Sequence, residues 1–231
     1  MTLRDFEAVV LEELEKVVKA IIEDNLYLNI SAKARAGAEI SDFLENKFVE
    51  YTHKNVYFKN SESAPKWQTK NPWDVRTFFV LNSLIEEIWI DFKAFKITSA
   101  DSNPDIGTPN KIINFIKKGF FYLTYVYVFY QEKGDGIEFV YHNETYTKLY
   151  FLKDISPTFR RNPKNQLQVN ISEPTVYRTR EEFIILLMEK LKESHQRQIA
   201  ISTQKLQELN QTGDELLSIN RKSEKRILKN L

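Results

Sequence analysis

Glu86–Glu87–Ile88–Trp89–Ile90–Asp91–Phe92–Lys93–Ala94–Phe95 is the stretch on which the reading of this chain turns. Its bulky aliphatic and aromatic residues predict a β-strand, on which Asp91 and Lys93, two positions apart, share one face. Trp89 and Ile90 flank these charges and predict that one sheet face is buried, with Asp91, Lys93 and Phe95 on the other. Just upstream, Asn71–Pro72–Trp73–Asp74–Val75 supplies a second carboxylate. Val75 to Leu81 reads as the partner strand, joined at Asn82–Ser83 to a strand from Ile85 to Lys96. The two carboxylates are thereby expected on neighbouring strands.

Around this pair the pattern alternates between helix and strand. Leu3, Phe6, Val10, Leu14, Val17, Val18 and Ile21 recur at three and four, which predicts an amphipathic helix over residues 3 to 24. A second helix, capped by Ser31, is expected to run to about Thr52, with Ala36, Ile40, Phe43, Leu44, Phe48 and Tyr51 on its apolar face. Residues 53 to 73 and 98 to 110 read as loops, the first with a short strand at Val56–Phe58. Lys111 to Lys118 is predicted as one or two helical turns. Phe120 to Gln131 reads as a strand buried on both faces, and Gly134–Asp135–Gly136 as a hairpin turn into Ile137–His142. Tyr146 to Leu152 and Gln166 to Ile171 are further strands. Thr179 caps a long helix from about Arg180 to Leu209, with Gly213 as an interruption. The expected class is α/β or α+β: a central mixed sheet flanked by helices, with a long C-terminal helix. One domain over 1–231 is expected, divided into N-terminal helices (1–52), a core sheet (53–152), an irregular segment (153–180) and a C-terminal helical region (181–231).

Composition narrows the chemistry. The chain has no Cys, which excludes disulfides, thiolate zinc sites and a cysteine nucleophile, and its three scattered His make a His-rich metal site improbable. A site of carboxylates favours Mg²⁺ or Mn²⁺. The net charge of +1 does not oppose nucleic acid binding, because phosphate neutralisation is local and basic residues cluster at Lys54–Lys70, Lys111–Lys118, Arg160–Lys164 and Arg221–Lys229. No apolar run spans a bilayer and the N-terminus is acidic without a secretory pattern, so an intracellular, cytoplasmic protein is expected. No glycine fingerprint for nucleotides and no Gly-x-Ser-x-Gly is present.

Phosphodiester hydrolysis needs charge stabilised on the phosphate, a water deprotonated in line and a neutralised leaving oxygen. Two carboxylates on adjacent strands, Asp74 and Asp91, can hold a Mg²⁺, and Lys93 on the Asp91 face can reach the attacking water. A proline and Asp74, then a strand-forming interval, then Asp91–Phe92–Lys93, resemble the PD-(D/E)xK nuclease signature; Trp73, standing between Pro72 and Asp74, departs from it at a position that does no chemistry. The layout resembles a type II restriction endonuclease, with the nuclease core over roughly residues 31 to 131. That resemblance implies the restriction-endonuclease-like core, a sequence-specific double-stranded DNA substrate, a homodimer and a bacterial or archaeal cell interior. It also implies the Phe92 carbonyl as a metal ligand and a third carboxylate from the preceding helix, with Glu39 favoured over Glu45.

Base edges are read by Arg at guanine and by Asn or Gln at adenine. Thr158 to Asn170 concentrates these types: Arg160, Arg161 and Lys164, then Gln166, Gln168 and Asn170 on one strand face and Leu167, Val169 and Ile171 on the other. Residues 153–180 are therefore expected to hold the DNA-recognition segment. Lys66, Lys70 and Arg76 are candidate phosphate contacts near the cut. A repair or junction nuclease on the same core, and a non-catalytic DNA-binding protein, are the alternatives.

Overall fold

The computed structural model describes residues 1–30, 33–65, 73–98, 103–142 and 144–229. It resolves into two compact units, Met1–Phe183 and Ile184–Leu231. The first unit is α+β, with a mixed central sheet and flanking helices. The second is helical.

Helix α1 (Leu3–Asp24) opens with a capping box that the apolar pattern did not reveal: Thr2 Oγ1 accepts the Asp5 N–H, and the Asp5 carboxylate accepts the Thr2 N–H. Strand β1 (Tyr27–Asn29) follows, then a 3-10 turn at Lys33–Arg35 and helix α2 (Ala36–Thr52). The expected Ser31 cap lies outside the described residues. Strands β2 (Phe58–Ser63), β3 (Val75–Leu81) and β4 (Leu84–Lys96) form an antiparallel meander. Its second turn carries Asn82 at φ 57°, a left-handed position that Asn tolerates. The short strand expected at Val56–Phe58 is displaced to polar β2, because that edge strand buries Phe58 and little else.

Strand β5 (Asp105–Gly107) and helix α3 (Pro109–Lys117) lead into β6 (Leu123–Lys133), which pairs parallel with β4. A parallel pair requires a crossover. Here the crossover is built from β5 and α3, and it covers one face of β4. Strands β7 (Gly136–Phe139) and β8 (Thr147–Phe151) each pair antiparallel with a different half of β6. All of Leu123–Tyr130 is buried, as a strand covered on both faces must be. Strand β1 closes the far edge against β7, where Gly136 permits the approach: a Cβ there would stand 2.2 Å from the Leu28 carbonyl oxygen.

Helices α1 and α2 cover one sheet face. Phe6, Val10, Leu14, Ile21, Ile40, Leu44 and Phe48 meet Phe58, Phe79, Ile88, Ile90, Phe92 and Val126 in a continuous core. The period of two in β4 sends Trp89, Asp91 and Lys93 to the opposite face, beside Tyr125 and Tyr127 of β6.

A small second sheet joins β5 to β10 (Leu167–Gln168) and β9 (Arg160–Arg161). The strand expected over Gln166–Ile171 contracts to two residues, since the ladder shifts register at Leu167/Gln168. Its alternation persists: Leu167, Val169 and Ile171 are buried while Gln166, Gln168 and Asn170 are half-exposed.

Helix α4 (Arg180–Leu228) starts at a second capping box, Thr179 with Glu182. It runs unbroken through Gly213, contrary to the expected interruption. A helical Gly costs about 1 kcal/mol relative to Ala, which is a local penalty and not a stop.

Candidate active site

The β3–β4 ladder ends at Val75↔Ile90, and the next position on each strand is an aspartate. Asp74 continues the parity of Arg76 and Asp91 that of Trp89, so both carboxylates fall on the sheet face away from α1 and α2. Where the ladder stops, side chains take over the edge of β4. Asp74 Oδ2 accepts the Phe92 N–H at 2.7 Å, and Ser41 of α2 donates its hydroxyl to the Phe92 carbonyl at 3.0 Å. Lys93 Nζ lies 3.0 Å from Asp91 Oδ1, with both side chains about one-fifth to one-quarter exposed. The predicted trio thus meets in space.

Asp74, Asp91 and Lys93 line a cavity of about 280 Å³. Its apolar wall is Trp73, Ile106, Ile112, Phe115 and Leu123. Three further polar residues reach it: Asp105 from β5, Lys111 from α3, and Gln166 beside β10. Asp105 and Lys111 were not anticipated as site residues, because only the crossover brings them over β4. The clustering of lysines at Lys111–Lys118 was the one local signal.

The electrostatics suit a cation. Burial, then the charge of Asp91, raises the Asp74 pKa to about 7 against the pull of the Phe92 N–H and of Lys93, and Glu45 adds to the rise. Burial also raises Asp91, opposed by Lys93 and by Lys111. Burial raises both carboxylates, and a divalent cation between them would relieve both. Among the described residues no three His, Asp or Glu side chains converge tightly enough to form a metal cage by themselves. A cation here would rest on two carboxylates plus oxygens from elsewhere.

Of the two helix carboxylates, Glu45 lies one turn beyond Ser41 and its charge acts on Asp74. Glu39 lies two residues before Ser41, about 200° round the helix. Glu45 and Glu39 therefore leave the helix on different sides.

The remaining candidates divide. Arg160 and Lys164 are exposed, while the half-buried Arg161 gives its Nε–H to Asn165. Gln168 Nε2 donates to Asp105 Oδ1 at 2.9 Å and Asn162 Nδ2 donates to the same oxygen at 3.2 Å. Asn170 caps the Ser172 N–H. Arg76, half-buried, stands between the carboxylates of Glu62 and Glu87. Lys66 and Lys70 lie outside the described residues. The ends of the amide-bearing segment are fastened by a buried ionic clasp: Lys153 meets Glu7 at 2.9 Å and Asp154 at 2.8 Å, and the Arg178 N–H binds Asp154 at 2.8 Å.

No described helix is long and apolar enough to cross a membrane. A sequence model of the SwaI-like family, described as SwaI restriction endonuclease, matches residues 2–209. No curated protein matches the chain.

Proposed function

The chain belongs to the SwaI-like restriction endonuclease family, a type II restriction enzyme with DNA as substrate, and we propose that it cuts double-stranded DNA sequence-specifically by Mg²⁺-dependent hydrolysis at the Asp74–Asp91–Lys93 cavity. The observation that carries this reading is the convergence of two half-buried carboxylates and one ammonium on a single cavity.

Asp74 and Asp91 would hold the cation, with oxygens from the Phe92 carbonyl, Glu45 and water completing its shell. An all-oxygen donor set suits Mg²⁺, with Mn²⁺ as a substitute. Bound there, the cation would neutralise phosphate oxygens and make a nearby water more acidic. Lys93, steered by its 3.0 Å contact with Asp91, would hold that water in line with the phosphorus. The Phe92 N–H fixes Asp74, and Ser41 fixes the Phe92 carbonyl, so the ligands are set before DNA arrives.

Arg160, Arg161 and Lys164 would track phosphates, and Gln166, Gln168 and Asn170 would present amides to base edges. Gln166 lines the catalytic cavity, so the reading segment borders the reacting centre. Two copies, each cutting one strand in the cell interior, complete the proposal. The family match favours this reading over a junction nuclease or a non-catalytic binder.

The test is incubation with a sequenced plasmid in Mg²⁺, followed by end mapping. A discrete fragment ladder abolished by EDTA is expected. Smears, random nicks or no cleavage at any Mg²⁺ concentration would overturn it.

A further inference from the structure

We propose that Lys111 is a second catalytic cation, contacting the non-bridging oxygens of the phosphate being cut. This inference rests on the cavity of Asp74, Asp91 and Lys93 being the nuclease centre.

Lys111 is held at the cavity by its helix. Thr108 caps α3, its Oγ1 accepting the Lys111 N–H, and Pro109 opens the helix. Ile112 and Phe115 are buried, and the Phe115 ring lies 4.7 Å from that of Trp89, on the same face of β4 as Asp91. These contacts fix the first turn of α3 against the catalytic strand, and Lys111 projects from that turn to line the cavity.

Its charge is available. Lys93 is paired with Asp91, and the Asp105 carboxylate accepts the amides of Gln168 and Asn162. Among the described residues no carboxylate forms an ion pair with Lys111, which is exposed. Its field nonetheless reaches Asp91. A cation on the two aspartates would offset their charges, and Lys111 would still have no ion-paired anion among the described residues. The substrate supplies that anion. A lysine ammonium is a compact charge suited to phosphate oxygens.

In the step itself, a water oxygen bonds to phosphorus while the bond from phosphorus to the leaving sugar oxygen breaks. The water yields a proton to solvent and the leaving oxygen gains one. Lys111 forms no bond and transfers no proton; it offsets the charge that gathers on the equatorial oxygens.

The test compares Lys111→Met, Lys111→Arg and Asp91→Asn after the cut position is mapped. Lys111→Met is expected to slow single-turnover cleavage about 10- to 100-fold, and Lys111→Arg to recover most of it. Without metal, Lys111→Met should lose affinity for a natural duplex but not for one bearing a neutral methylphosphonate at the scissile position. Cleavage by Lys111→Met within threefold of the parent, or equal loss of affinity for both duplexes, overturns the inference. Cleavage retained by Asp91→Asn would instead remove the proposed centre itself.

Discussion

The Asp74 carboxylate accepts the backbone N–H of Phe92 at 2.7 Å, in the place where the next rung of the β3–β4 ladder would lie. One carboxylate oxygen is thereby committed to the protein and the other is left for the cavity. The same contact holds Asp74 beside Asp91 despite their mutual repulsion.

That repulsion predicts a pH-dependent cost. Asp74 titrates near 4 in the unfolded chain and at about 7 in the fold, so between these values the native state binds more protons and stability falls as pH rises. Asp74→Asn keeps an acceptor for the Phe92 N–H and removes the charge. It should raise the metal-free melting temperature at neutral pH, by roughly 1–3 kcal/mol in stability, with little effect below pH 4. Thermal denaturation in EDTA at pH 4 and pH 7 decides the matter; equal effects at both would contradict the cause assigned to the shift.

Lys93→Ala should abolish cleavage while duplex binding stays near normal. Its ammonium is engaged with Asp91 inside the cavity and not displayed on an outer surface. Single-turnover cleavage and gel-shift affinity measured together check this, and sustained turnover removes the lysine from the mechanism.

Gln168→Ala should weaken discrimination between the cognate and altered sites by about 1–3 kcal/mol, as expected for the loss of one amide-to-base contact. Gln168 and Asn162 share Asp105 in this structure, so reading a base would require Gln168 to exchange partners. Unchanged specificity would place the reading face elsewhere.

Lys153→Met should destabilise the fold by about 3–5 kcal/mol, the cost of stranding buried carboxylates. Lys153 is 1% exposed between Glu7 and Asp154. Urea denaturation measures the loss, and a variant as stable as the parent would show the clasp to be dispensable.

The parts of the fold governed by local period were legible in the sequence. Helix α1, the β3–β4 pair and buried β6 follow from spacing alone, and the meeting of Asp74 with Asp91 follows from their adjacency across one hairpin. What escaped reading depends on distant contacts. Strands β1 and β5 are three residues long and exist because β7 and β10 pair with them. Asp105 and Lys111 enter the site only through the crossover that parallel pairing of β4 and β6 requires. The rotation of α2 that puts Glu45 and Glu39 on different sides of the helix is held by the contact of Ser41 with Phe92. Gly213 does not end the helix, since nothing in its surroundings opposes a continuous one.

Single-turnover cleavage of a cognate duplex by Asp91→Asn at saturating Mg²⁺ decides whether this cavity is the reacting centre. A rate lowered by about a thousandfold or more is expected, since the variant loses a charge that a divalent cation needs. A rate within tenfold of the parent would show that the reaction takes place elsewhere in the molecule.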